Sequence, residues 1–243
     1  MTAAVIIVST TRCEYCGKPL VPLTSVLLGR KVTYGYKPCV CAEAVKQRKL
    51  HEQREQRAKE ISKQRDRDMN YADAGIPKRY ILESYIVPDS IMRNAQRGLY
   101  IYGPVGTGKT YTAAAVAKTL IDGGASVQFT NIVKLLEEVR DTYSRTKSTQ
   151  AVIAKYVKCD HLFIDDIGKE NATTDALAII YRIVDERWSA CKPTSYTSNY
   201  PRAELVKKLS EKQNDKITAL SIVSRLQECW PLELTGTDQR LRR

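Results

Sequence analysis

The sequence predicts an α/β protein: a parallel β-sheet flanked by helices, preceded by a small cysteine-bearing module and a connecting helix. Three observations lead there. Gly103-Pro104-Val105-Gly106-Thr107-Gly108-Lys109-Thr110 fits the phosphate-loop pattern G-x-x-x-x-G-K-[ST], between an apolar run and an alanine-rich one. From residue 80 onward, short apolar runs alternate with helical ones, the pattern of parallel strands joined by crossover helices. His161-Leu-Phe-Ile-Asp165-Asp166 is apolar until it ends in two carboxylates, as in a buried strand that delivers acids at its C-terminal end.

Residues 1–41 form the first expected module. Cys13-Glu-Tyr-Cys16-Gly-Lys resembles a zinc knuckle, with two thiolates on a tight turn and then a glycine. A β-rich stretch, 25–34, leads to Cys39-Val-Cys41. Four thiolates can close a tetrahedral structural zinc site; the other reading is four ordinary reduced cysteines. His51 could replace one ligand, but it sits in a charged helix and reads as exposed. Cys159, Cys191 and Cys229 stand singly in apolar or helical surroundings and are expected to be buried thiols.

Residues 42–70 are rich in Glu, Lys, Arg, Gln and Ala, with neither Gly nor Pro. Helix propensity is high and an apolar face is lacking, so a solvated connecting helix is expected. Ala74-Gly-Ile-Pro-Lys-Arg79 breaks it, and residues 71–243 make the second domain. Expected strands there are 99–102, 126–130, 161–165, 194–198 and 231–234. Expected helices are 109–120, 132–143, 148–158, 174–190, 202–209 and 217–230.

The chemistry follows from the motifs. Glycines let the loop curl so that its N–H groups face a phosphate chain. Lys109 would reach the β/γ-phosphates, and the Thr110 hydroxyl would ligate Mg²⁺. Gly103 through Thr110, with Tyr111, are the expected nucleotide contacts. Asp165 would hold Mg²⁺ through water, and Asp166 would orient or deprotonate the attacking water; the pair could also merely cap the next helix. Asn199 could contact the γ-phosphate, or simply end a strand in a turn.

Bulk properties narrow the class. The chain has 243 residues, 43% of them hydrophobic, enough for one α/β domain with a real core plus a small module. Net charge is +12, and residues 1–70 hold 14 Lys/Arg against 7 Asp/Glu. A polyanion or an acidic partner is one reading; a solubilising surface is the other. No run approaches the ~20 apolar residues of a membrane span, and 3–8 is too short for a secretory signal. A cytoplasmic, reducing location is expected.

Taken together, the strings resemble a DnaC-type replicative helicase loader of the AAA+ class, akin to the ATP-binding helpers of IstB-type transposition. They are Ala74–Arg79, Gly103–Thr110, Asp165-Asp166-Ile-Gly168-Lys-Glu170, Thr197-Ser-Asn199, Val223-Ser-Arg225-Leu226 and Gly236-Thr-Asp-Gln-Arg240. A zinc-type module ahead of such an ATPase is similar to loaders of phages and their hosts. The resemblance implies ATP with Mg²⁺, and an Asp at 166 is usual within this group; because Asp166 is a methylene shorter than the Glu of many related ATPases, slow hydrolysis is expected. The resemblance also implies that Asn199 senses the γ-phosphate, that Arg225 is an arginine finger for a neighbouring subunit, and that Arg240 is a second sensor within the chain. Glu170 would orient the acidic loop. Implied partners are a DnaB-type ring helicase, single-stranded DNA, and other copies of the chain in an ATP-dependent open spiral or ring. Two other readings are a transposition helper on duplex DNA and a zinc-containing nucleic-acid regulator with structural ATP.

Overall fold

The structure, a computed structural model, describes residues 11–27, 29–83, 86–144, 148–168, 174–210 and 216–238. The chain divides into two compact units, residues 1–65 and 66–243.

In the first unit, β1 (Pro22–Leu27) and β2 (Arg30–Tyr36) pair antiparallel, with Leu27 opposite Arg30. The stretch expected as one β region is therefore a hairpin. Gly29, at φ 75°, turns it in the left-handed region that glycine enters without strain. Helix α1 (Ala42–Asp73) begins in this unit and ends in the second, and residues 49–67 on it are all exposed, as a helix without an apolar face must be.

The second unit is built on a five-stranded parallel sheet in the order β4-β5-β6-β3-β7. The strands are β3 (Leu99–Tyr102), β4 (Val127–Asn131), β5 (His161–Asp165), β6 (Thr194–Ser198) and β7 (Trp230–Glu233). Alternate residues point to opposite faces. Leu99, Ile101 and Phe163 face a core completed by the small, buried Ala113, Ala114 and Val116 of helix α4 (Lys109–Asp122). Tyr100, Leu162 and Ile164 face the other core. That side is covered by α5 (Ile132–Arg140), α6 (Thr149–Lys158), α7 (Thr174–Ser189), α8 (Arg202–Ser210) and α9 (Lys216–Leu226). Two short helices, α2 (Lys78–Ile81) and α3 (Asp89–Ala95), each begin directly after a proline and were not expected.

Two expected helices run too long. Helix α5 stops at Arg140 and gives way to a 3₁₀ turn, Asp141–Ser144, where the Thr142 hydroxyl takes the Val139 carbonyl at 2.6 Å. Helix α9 stops at Leu226, because the N–H of Trp230 donates to Gly98 O at 2.8 Å and draws that residue into the sheet beside β3. Cys159 and Cys229 are buried as expected, but Cys191 is exposed. It sits past the end of α7 at φ 52°, a left-handed turn that points the chain back to β6.

Arg187 of α7 is fully buried without a carboxylate partner in its hydrogen bonds. It donates to the carbonyls of Tyr156 (2.9 Å), Cys159 (2.8 Å) and Asp160 (3.2 Å) and to Thr194 Oγ1 (2.8 Å). A guanidinium thus satisfies the open carbonyls at the C-terminus of α6, where the helix dipole is negative.

Candidate nucleotide-binding site and cysteine cluster

The phosphate loop follows β3 and ends at Gly108, which caps α4. Gly103, Gly106 and Gly108 have φ of 145°, 79° and 94°. At two of them a side chain would also collide: a Cβ would meet Leu234 O at 2.0 Å from Gly103, and Asp238 Oδ1 at 1.9 Å from Gly106. The Thr107 hydroxyl donates to Pro104 O at 2.9 Å and holds the curl, while Val105 is exposed at its tip. Lys109 is 6% exposed. Its Nζ donates to Gly103 O (2.8 Å) and Pro104 O (2.7 Å), so the cation lies inside the loop.

The acidic pair stands where β5 ends. Thr110 Oγ1 donates to Asp165 Oδ1 at 2.9 Å and approaches Oδ2 at 3.2 Å. From the adjacent strand, Thr197 Oγ1 donates to Asp165 Oδ1 at 2.6 Å and accepts the Asp166 N–H at 2.8 Å. Asp166 is at φ 60°, a conformation that Asp tolerates better than most residues. The Ser198 hydroxyl donates to Ile167 O at 2.8 Å, and Ile167 N donates to Thr197 O at 2.9 Å. The turn carrying the acids is therefore fastened to β6 at several atoms.

Asn199 follows β6 directly. Gly103 N donates to Ser198 O at 3.3 Å, so Asn199 stands beside the start of the loop. The Tyr111 ring meets Tyr80 of α2 edge to face, 6.3 Å between centroids. Beside Asp165 opens a cavity of about 560 Å³, walled by Ile76, Phe129 and Ile81, with Lys78 and Lys134 among its polar residues. Arg225 is not brought to this chain's own loop: on α9, it is bound to Asp185, Tyr181 and Ser221. Arg240 and Glu170 lie outside the described residues.

In the first unit, the sulfurs of Cys13, Cys16, Cys39 and Cys41 all lie within 4.8 Å of one another. Cys13 and Cys41 are 3.9 Å apart, and Cys16 and Cys39 are 3.5 Å apart. Around a tetrahedral zinc with bonds of about 2.3 Å, sulfurs stand about 3.8 Å apart, so the donor set fits that ion. The turn is made by Gly17 N donating to Cys13 O at 2.9 Å, and the Arg48 guanidinium holds the Cys39 carbonyl. Backbone N–H groups of Cys16 and Tyr15 pull the Cys13 thiol down to about 7. His51 is not part of the cluster; it faces Glu55 at 3.6 Å on the exposed helix.

A family described as IstB-like ATP binding protein matches residues 40–243. The chain belongs to that family. Among its relatives, the replicative helicase loader DnaC of Escherichia coli is 31% identical over 116 residues, 47% of this chain and 47% of that protein. The chain thus spans about half the length of the DnaC relatives it matches. The replicative helicase loader DnaI of Bacillus subtilis is 24% identical over 228 residues, 88% of this chain and 71% of that protein. The crystal structure of DnaI superposes with a TM-score of 0.55 at 24% identity, covering 65% of this chain and 94% of that one. The parallel sheet with flanking helices is the AAA+ fold that the IstB/DnaC resemblance implied.

The sequence assigned Thr197 no part in the candidate site, where it bonds to the acidic pair. It stands in the Thr197-Ser-Asn199 string without a role of its own, and only the pairing of β5 with β6 brings its hydroxyl to the Asp165 carboxylate and the Asp166 N–H. Tyr80, which directly follows the Ala74–Arg79 string, was likewise given no part there, and its ring meets that of Tyr111.

Proposed function

We propose that this chain is an ATP-dependent loader that delivers a DnaB-type replicative ring helicase onto single-stranded DNA. Lys109 and the loop N–H groups hold the triphosphate. Thr110 and Asp165 hold Mg²⁺, which offsets phosphate charge. Asp166 positions the attacking water, and Asn199 reads the γ-phosphate. Hydrolysis is slow because the Asp166 carboxylate is a methylene shorter than Glu. Arg225 serves the site of a neighbouring copy, so ATP builds an open spiral or ring, and Arg240 acts from the same chain. Residues 1–41, held by zinc on Cys13, Cys16, Cys39 and Cys41, grip the helicase, with 42–70 as the connecting helix. Residues 71–243 bind ATP and, more weakly, DNA. The work is cytoplasmic; among the described residues, no helix is long and apolar enough to cross a membrane.

The observation that carries this reading is the extent of the DnaI match. It covers 88% of this chain, more than residues 66–243 can supply, so it reaches into the cysteine-bearing unit. The IstB-like family match also accommodates a second reading, a transposition helper on duplex DNA. Pull-downs of the full chain, and of a chain with Cys13 and Cys16 replaced by Ser, against the replicative helicase of the same genome test it. Helicase captured by the full chain and lost in the double variant supports the loader. No capture, with tight duplex binding, supports the transposition helper.

A further inference from the structure

Two arginines packed on helix α7 are held in opposite ways. Arg187 is sealed in the interior and bound to neutral oxygens, as a structural clamp is. Arg225 is bound by a charge at the surface: its Nε donates to Asp185 Oδ1 at 2.9 Å and Nη2 donates to the same oxygen. Nη1 donates to Ser221 O at 2.9 Å and Nη2 to the Tyr181 hydroxyl at 3.3 Å. The guanidinium carbon stands 4.9 Å from the Tyr181 ring and 5.4 Å from the Trp188 ring. The Arg225 side chain keeps 20% of its exposure and Asp185 keeps 35%, so a competing anion can reach both. Trp188 is 46% exposed, its indole N–H donating to Glu228 at 2.9 Å.

The surroundings favour such a competitor. Arg225 and Trp188 line a cavity of about 470 Å³ that also takes Arg97 and Lys192, residues preceding β3 and β6. This is the end of the sheet away from the chain's own phosphate loop, which follows β3. Its cations outnumber Glu228, the acid on the cavity wall, and would draw a polyphosphate from outside the chain. A guanidinium already bound to one carboxylate oxygen can exchange it for phosphate oxygens of the same donor geometry.

We propose that Asp185 parks Arg225: the carboxylate holds the guanidinium within its own chain until the nucleotide phosphates of a neighbouring copy replace it. Asp185 is then a positioning residue that sets how readily chains assemble on ATP. The inference rests on the reading of Arg225 as a finger acting on a neighbour. Parking keeps a lone chain from offering an unpaired cation to any passing anion, and makes engagement depend on a true competitor for the site.

The test is ATP turnover per chain measured against protein concentration. Asp185→Asn should reach half-maximal turnover at about tenfold lower concentration, a factor equivalent to ~1.4 kcal/mol. Nucleotide affinity of the dilute chain should not change. Asp185→Glu, which keeps the charge, should restore the parental curve, and Asp185→Asn should have no effect in an Arg225→Ala background. If Asp185→Asn melts below the assay temperature, Tyr181→Phe, which removes a single hydrogen bond to the guanidinium, should shift the curve the same way by a smaller factor. An unchanged or rightward curve, with Arg225→Ala still impairing turnover, overturns parking and leaves the finger standing. Turnover unaffected by Arg225→Ala overturns both.

Discussion

Thr197 and Asp165 are joined by a hydroxyl-to-carboxylate hydrogen bond of 2.6 Å, and the same hydroxyl accepts the backbone N–H of Asp166. One side chain thereby fixes the direction of the acid expected to hold the metal and the backbone of the acid expected to position water. Thr197→Val keeps the shape and removes the hydroxyl. Turnover should fall by roughly 10–100-fold, the usual loss when a ligand's supporting partner is removed, with nucleotide affinity changed only a few-fold. Steady-state rates beside a fluorescent-nucleotide titration separate the two.

Lys109→Ala should abolish nucleotide binding, because the loop loses the cation at its centre. Asp165→Ala should retain part of the binding and lose Mg²⁺-dependent hydrolysis. Unchanged turnover in either variant would remove the assignment of this site.

Gly106→Ala should also lose nucleotide binding. The new Cβ would fall 1.9 Å from Asp238 Oδ1, on a backbone at φ 79°. Because the backbone strain is independent of the collision, Asp238→Ala in the same chain should recover only part of the affinity in the same titration.

Elemental analysis should find about one zinc per chain. Stripping it with a strong chelator should unfold the first unit, whose small hairpin buries little apolar surface, and leave nucleotide binding in place. Loss of ellipticity together with loss of nucleotide affinity would contradict the independence of the two units.

The second unit should lose stability in mild acid. His161 is 7% exposed, and burial, then the charge of Arg187, push its pKa below the ordinary histidine value. The unfolded chain therefore binds a proton more readily than the folded one. Stability from this group is complete above about pH 6.5 and declines as pH falls through that value. Melting temperatures from pH 8 to pH 5 should show the fall, and His161→Gln should flatten it; the other histidine, His51, is exposed on α1.

Much of the second unit was legible because its signals are local. The loop, its strand and its helix are contiguous, and the strand bearing Asp165 and Asp166 announces itself by an apolar run that stops at two acids. The cysteine cluster was legible by composition. What the sequence hid depends on register and on contacts between distant segments. Thr197 meets Asp165 only because β5 and β6 are neighbours in the sheet, although helix α7 separates them in sequence. Arg187 looks like a surface residue of an amphipathic helix until the end of α6 packs onto it. Arg225 and Asp185 are 40 residues apart, and nothing in either segment names the other. Cys191 read as buried because its neighbours are apolar or helical; the left-handed turn that exposes it is a property of the backbone.

The most direct test of the account is helicase delivery to a circular single strand, which has no end to thread. The replicative helicase of the same genome is mixed with the circle and with the full chain, ATP and Mg²⁺, and helicase retained on the DNA is counted after gel filtration. Retention should rise at least tenfold over helicase alone, and should fall back to that baseline with Lys109→Ala or with the Cys13 and Cys16 double Ser variant. Retention unchanged by the full chain, with that chain instead held on duplex circles, would contradict the loader and leave the transposition helper.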